Sequence, residues 1–275
     1  MLKLLLSTQT EQLSSYIDER TLTHIRYRQV NKFESYQEMD LISFDWYDIH
    51  NKHAKPVQVI IYFTRDYIFF ICEGERCFKQ VEQLVTEKAT NEKTLYSFFL
   101  ELLKGDIEHL EKLEEHITET EDELLKASRS ACAEEIIAFR RELLRLKKYY
   151  EQLNQIFEGL TENENNLIPL EDLRYFRILD SKIDRLFSHV LNLRDYVTQV
   201  REAYQAQIDI EQNNLMKIFT VVTAVFLPLT LLVGWYGMNL RMPEFSWPYG
   251  YPFVIVLSIA VVTICLFYFK RRKWF

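Results

Sequence analysis

The sequence predicts an α+β membrane protein. It has an N-terminal α/β domain, a long helical stalk continuous with the first transmembrane helix, and two transmembrane helices at the C-terminal end. Three observations carry this. Ile218 to Tyr236 and Tyr251 to Phe269 are each 19 residues without a charge. After Pro169 neither proline nor glycine occurs until Pro228. Residues 1–95 mix short aromatic and β-branched runs with turns, and helical spacing takes over from Leu95.

Composition bounds the rest. The chain has 275 residues, 48% hydrophobic and 27% charged, which excludes a disordered chain. Its 33 Lys and Arg against 40 Asp and Glu leave a net charge of -7, which argues against a nucleic-acid partner. Six glycines offer little material for a phosphate-cradling loop, and neither G-x-G-x-x-G nor a Walker-type run occurs. The mean hydropathy of -0.17 resembles that of a soluble protein, because the apolar residues are concentrated rather than spread.

The first 95 residues are read as a cytoplasmic α/β domain. Val57 to Phe63, the turn at Thr64 to Asp66, and Tyr67 to Cys72 form a β-hairpin pattern. Leu2 to Leu6 and Leu41 to Trp46 are further strand candidates, and Thr10 to Arg20 and Phe78 to Glu87 are helix candidates. Residues 96–168 read as antiparallel cytoplasmic helices. Leu102, Ile107, Leu110, Leu113, Ile117 and Leu124 supply the first apolar stripe. A break at Ser128 to Ser130 precedes a helix over Ala133 to Phe157, which Gly159 is expected to end. Asp106 to Glu123 holds nine acids and one lysine, whereas Arg140 to Lys148 is basic. Two solvated faces of a helix pair explain this; the alternative is an acidic surface that attracts cations or meets the basic tail.

Residues 169–236 are read as one helix whose last part, about 215–236, is the first transmembrane segment. Leu173, Phe176, Leu179, Ile183, Leu186, Val190, Leu193, Val197, Val200 and Tyr204 keep the spacing of 3 or 4. At about 1.5 Å per residue the helix is roughly 100 Å long, and each uncharged run reaches about 28 Å, near the ~30 Å hydrocarbon core. Residues 237–250 form the loop, 251–269 the second transmembrane helix and 270–275 a basic tail. Trp235, Tyr236, Trp247, Tyr249 and Tyr251 sit where interfacial aromatics gather. Lys217 precedes the first span and Lys270, Arg271, Arg272 and Lys273 follow the second, while the loop carries only Arg241 and Glu244. The positive-inside rule therefore places both termini in the cytoplasm. The apolar run in MLKLLLS is too short for a signal peptide. The four cysteines form neither a disulfide framework nor a CxxC pair.

On the first span Asn213, Met216, Thr220, Thr223, Leu227, Thr230 and Gly234 advance by 3 or 4 and share one helical face. Such a stripe can line a pore; threonines bonded to their own backbone and small residues packing helices are the alternative.

Tyr236-Gly237-Met238-Asn239 follows the first span directly, and MPEFSWPYGYP and a second span follow it. Here the sequence resembles the CorA-type magnesium transporter family, whose signature is Gly-Met-Asn at the end of the first of two C-terminal spans. The resemblance is strong over Asn213 to Phe275 and looser around Tyr175 to Arg177. It implies a homopentameric channel in the plasma (inner) membrane, first spans lining the pore, that takes up Mg²⁺ passively, with Co²⁺ or Ni²⁺ as further ions. Mg²⁺ sheds its waters reluctantly, so a ring of Asn239 amides accepting hydrogen bonds from those waters suits the ion better than charged ligands would. Gly237 would permit the backbone geometry at the mouth, and Tyr236 would brace it. Met216 and Phe219 fall at the family's cytoplasmic constriction. The family's regulatory carboxylate after a YFR-like segment is replaced by Ile178, so Asp180, Asp184 and Glu202 are the candidate regulatory ligands for Mg²⁺.

No organic cofactor is expected. The expected partners are the chain itself as a homopentamer, the lipid bilayer and divalent cations. A transporter of zinc or another divalent ion is the nearer alternative, and a non-conducting membrane scaffold is the alternative of another class. An enzyme is disfavoured, because the six histidines are scattered and no nucleophile-base pairing is visible.

Overall fold

A computed structural model of the chain describes residues 1–27, 29–49, 51, 54–126, 129–238 and 247–272. It divides into two compact units, Met1–Arg201 and Glu202–Phe275.

The first unit is built on a sheet. Among the described residues it has five strands: β1 (Leu2–Leu6), β2 (Phe33–Ser35), β3 (Asp40–Trp46), β4 (Val57–Phe63) and β5 (Ile68–Cys72), in the order β1-β5-β4-β3-β2. β1 runs parallel to β5 and the other neighbours are antiparallel. The alternation of side chains along each strand explains why these strands read as nearly unbroken apolar runs, for both faces are covered. Leu41, Ile60, Tyr62, Phe69 and Ile71 join one core with Leu13, Ile17, Leu22 and Ile25. On the other face Phe44 and Phe70 meet Phe98, with ring centroids 6.5 and 4.9 Å away. Phe98 lies on α3 (Asn91–Leu102), whose Phe99 packs edge-on at 4.9 Å against Phe157.

Two local expectations are corrected. The helix expected over Thr10 to Arg20 is a 3₁₀ segment, Ser7–Leu13, followed by α1, Glu19–Arg26. Asp18 separates them, because its carboxylate accepts the Thr21 N–H at 3.0 Å and caps the second helix. α2 is Gly74–Leu84, shifted toward the N-terminus of the expected Phe78 to Glu87.

α4 (Asp106–Lys126) and α5 (Arg129–Glu162) follow. The apolar stripe of α4 is buried at Leu110, Leu113, Ile117 and Leu124, but Ile107 is exposed. The Tyr150 hydroxyl donates to buried Asp106 at 2.9 Å. Gly159 does not end α5, which continues to Glu162. A Cβ there would overlap the Phe33 ring, so glycine serves a close approach between α5 and β2 rather than a stop. Asn163, with φ 49°, takes the left-handed position after the helix. Its side chain exchanges hydrogen bonds with Ile168 N and O at 3.1 and 2.8 Å, holding the connection that turns into the next helix.

That helix, α6, is a single element of 67 residues, Leu170–Tyr236. In the first unit its seam from Leu173 through Phe176, Leu179, Ile183, Leu186, Val190, Leu193, Val197 and Val200 is buried throughout. Acids of α4 bond to it: Glu114 meets the His189 Nε2 at 3.0 Å, and Glu121 accepts the Tyr196 hydroxyl at 2.6 Å. The second unit holds the rest of α6 and α7 (Gly250–Arg271). Both helices are long and apolar enough to cross a membrane.

Candidate functional site

In the second unit most apolar residues of α6 are exposed, apart from a partly covered face at Val221, Val225, Pro228 and Leu232. Met216, Ile218, Phe219, Phe226, Leu227, Leu231 and Trp235 are each more than half exposed, and Val221 is buried. A helix apolar all round and left mostly uncovered needs lipid or further helices around it. Asn213, Met216, Phe219, Thr220, Thr223, Leu227, Thr230 and Gly234 are all exposed. The Thr220 hydroxyl donates to Met216 O and the Thr230 hydroxyl to Phe226 O, each at 2.8 Å. Both hydroxyl protons are thus spent on the helix itself, and the oxygens keep a lone pair to accept with.

Pro228 interrupts the hydrogen-bond ladder inside α6. Having no N–H, it leaves the Ala224 carbonyl without its helical partner, and the Cys265 thiol of α7 lies 3.8 Å from that oxygen as a donor. At the end of α6 the Gly237 N–H donates to Val233 O at 2.8 Å, and a Cβ on Gly237 would stand 2.8 Å from the same oxygen. A side chain at this position would therefore press on backbone. Tyr236 is half-buried and Met238 exposed. Asn239, Glu244 and Lys273 lie outside the described residues. Lys270 and Arg271 occupy the last turn of α7, where cations favour the helix dipole, and Arg272 caps it with its guanidinium 5.8 Å from the Tyr268 ring.

The regulatory candidates fall into two groups. Asp180 and Asp184 lie one turn apart on α6 in the first unit, whereas exposed Glu202 belongs to the second. Asp180 is half-buried, and its carboxyl is held above the ordinary carboxylate range by burial first, then by Asp184 and Glu158. Asp184 accepts from Asn154 Nδ2 at 3.1 Å, while Asn154 Oδ1 is buried with no partner among the described residues. Ile178 is 59% exposed. Among the described residues no three His, Cys, Asp or Glu side chains of one chain converge to hold a metal ion.

Sequence reasoning missed Glu158 and Asn154, because both come from α5 and only packing brings them to α6. It missed Cys265 as well. The signal for that residue was present, since a proline inside a span leaves a carbonyl that some neighbour must satisfy.

Comparison with known proteins agrees with this architecture. The family model described as "CorA-like Mg2+ transporter protein" matches residues 6–271. The cobalt/magnesium transport protein CorA of Thermotoga maritima is 29% identical over 191 residues, 69% of this chain and 54% of that protein. The magnesium transport protein CorA of Haemophilus ducreyi is 34% identical over 159 residues, half of each chain at 50%. The chain therefore spans about half the length of these two relatives. The magnesium transport protein CorA of Haemophilus influenzae strain Rd is 28% identical over 252 residues, 88% of this chain and 79% of that one. In fold, the complete structure of the CorA magnesium transporter from Methanocaldococcus jannaschii superimposes with a TM-score of 0.79 at 20% identity, covering 100% of this chain and 91% of that one. The full-length CmaX protein gives a TM-score of 0.68 at 16% identity, over 99% of this chain and 88% of that one. A match over residues 6–271 takes in both units, and the chain belongs to the CorA-like Mg²⁺ transporter family.

Proposed function

We propose that the chain conducts divalent cations into the cell, Mg²⁺ first and Co²⁺ or Ni²⁺ after it, down their electrochemical gradient. The observation that carries this reading is the Tyr236-Gly237-Met238-Asn239 motif between two uncharged runs of 19 residues, on helices that a bilayer would accommodate. Membership of the family supports it, and the Thermotoga relative is a cobalt/magnesium transport protein. The inward-negative potential supplies about 2.3 kcal/mol per charge per 100 mV.

In this reading five copies surround the pore with the exposed α6 stripe. Waters of a hydrated ion donate hydrogen bonds, so they need acceptors. Asn239 amide oxygens would provide them at the mouth. Thr220 and Thr230, whose protons already go to the helix backbone, would offer oxygens below it. Met216 and Phe219 would form an apolar constriction that gates by dewetting. The stripe on α6 carries neither His nor Cys, the ligands that suit Zn²⁺, which favours a hard, hydrated ion. Both termini would face the cytoplasm of a plasma-membrane protein.

Regulation would come from the cytoplasmic carboxylates. Because no three ligands of one chain converge among the described residues, a Mg²⁺ ion at Asp180 and Asp184 would take further ligands from a neighbouring copy. Bound Mg²⁺ would relieve the repulsion that Asp180 feels from Asp184 and Glu158, and so stabilise the closed assembly when internal magnesium is high. The test is competitive uptake by proteoliposomes containing an ion-sensitive dye. Mg²⁺ entry that excess Zn²⁺ leaves largely intact is expected; uptake of Zn²⁺ in preference to Mg²⁺, or of neither, would overturn the reading.

A further inference from the structure

The first unit has an open cavity of about 970 Å³ beside the sheet, away from every residue assigned to transport. Its walls combine tyrosine rings with carboxylates. Tyr16, Tyr62 and Tyr67 are grouped around Phe69. Tyr16 and Tyr67 each lie 5.7 Å from Phe69, and Tyr62 stacks on it at 5.6 Å. Tyr36 stands at the rim, 44% exposed, oriented by the hydrogen bond its hydroxyl donates to Glu34 at 2.9 Å. The ring cluster already accepts one ammonium from this chain, since Lys3 Nζ is 4.2 Å from the Tyr16 centroid.

Among the residues lining the cavity, carboxylates outnumber cations, while the Lys3 ammonium over Tyr16 and the Met1 ammonium, which donates to the Asp66 carbonyl at 2.7 Å, stand beside them. Asp18, Glu38 and Asp66 face the cavity and Arg65 is the cation among its lining residues. The Arg65 guanidinium is bound to the Asn166 carbonyl at 3.1 Å. The Tyr62 phenol registers this field: its proton is held by burial first, and then by the Asp18 and Glu38 carboxylates. The acids are nonetheless spread out, and no group of three among the described residues could hold a metal ion. Dispersed carboxylates over aromatic faces suit a cation larger than Mg²⁺, with apolar stretches between its charges. A hydrated Mg²⁺ meets the rings only through its waters and has no methylenes to lay on them.

We propose that this cavity binds an organic polycation of the polyamine class, with methylenes and ammonium groups laid on Tyr16, Tyr36 and Tyr67 and the charges balanced by Asp18, Glu38 and Asp66. The inference does not depend on the transport reading. It places a site for organic cations on the same unit as Asp180 and Asp184, the candidate Mg²⁺-responsive carboxylates.

The test is titration calorimetry of the full chain in detergent with spermidine, putrescine and MgCl₂ as separate probes, at matched ionic strength. Spermidine should bind saturably at one site per chain, more tightly than putrescine, and should stay bound in excess MgCl₂. Tyr36→Ala and Glu38→Gln, both at the exposed rim, should each weaken spermidine about 2- to 5-fold while leaving thermal unfolding unchanged. Three results would overturn the proposal: no saturable spermidine binding, binding unaltered in both variants, or full displacement by MgCl₂. If Tyr36→Ala alone perturbs folding, Glu38→Gln decides the matter.

Discussion

The Cys265 thiol on α7 lies 3.8 Å from the carbonyl oxygen of Ala224 on α6, the carbonyl that Pro228 deprives of its helical hydrogen bond. One residue type thus breaks a ladder in one apolar helix, and another helix supplies the replacement donor. In hydrocarbon such a carbonyl has no water to turn to, so a neighbouring side chain must serve. Cys265→Ala should loosen the pairing of the two helices by about 0.6 kcal/mol, the usual size of an interhelical hydrogen bond in membranes. In the Pro228→Ala background the same substitution should cost almost nothing, because an alanine N–H in place of the proline restores the ladder. A double-mutant cycle from denaturant unfolding in mixed micelles measures the difference. Equal costs in both backgrounds would show that the thiol only fills space.

Gly159 sits inside α5 with no room for a side chain, since a Cβ would enter the Phe33 ring. Gly159→Ala would normally stabilise a helix by roughly 0.5–1 kcal/mol. Here overpacking should reverse the sign and destabilise the first unit by about 1–3 kcal/mol. Phe33→Leu should recover part of that loss. The check is the unfolding midpoint of both single variants and the double variant; a stabilised Gly159→Ala would contradict the packing.

Asp40, the buried first residue of β3, accepts from Asn165 Nδ2 at 2.6 Å. Burial pushes its carboxyl up to about 6 from 3.8, against the lowering effect of hydrogen bonds from Ser35 and Asn165. Because the folded value is the higher one, the folded state holds the proton more tightly. Its contribution to stability is fully present below about pH 4 and is lost as pH rises through about 6, a difference of roughly 3 kcal/mol at neutral pH. Asp40→Asn keeps an acceptor for Asn165 and removes the charge. It should be more stable than the wild type at neutral pH and equal to it at acid pH. A stability difference that does not change with pH would contradict this origin.

Asp180 and Asp184 carry the regulatory proposal. The double substitution Asp180→Asn with Asp184→Asn should leave uptake running at internal Mg²⁺ concentrations that close the wild type. Dye-reported influx into vesicles loaded with graded Mg²⁺ measures it. Superimposable inhibition curves would remove both residues from the sensor.

Legibility from sequence followed the range of the forces involved. The long helix α6 was plain, because breaker-free chain and a 3-or-4 apolar seam are local properties, and Leu173 to Val200 are buried in that order. The strands at Val57–Phe63 and Ile68–Cys72 were plain for the same reason. β2 escaped notice, since three residues carry no period. Gly159 misled, because a local stop signal was overruled by contact with Phe33, distant in sequence. The stripe on α6 could be listed residue by residue from spacing, and backbone bonding of its threonines was one of two readings open there, whereas the Asn154 partner of Asp184 comes from α5 and only packing supplies it. The surroundings of Asp180 depend on α5, and no pattern within α6 announces them.

The reading of this chain as a cation channel rests most directly on Asn239. The decisive measurement is Mg²⁺ influx into proteoliposomes holding either wild type or Asn239→Ala at equal protein density, under an inward-negative potential. The account predicts potential-driven influx for the wild type and loss of nearly all of it for Asn239→Ala, with folding and oligomer size unchanged. Equal influx in the two preparations, or none in the wild type, would contradict it.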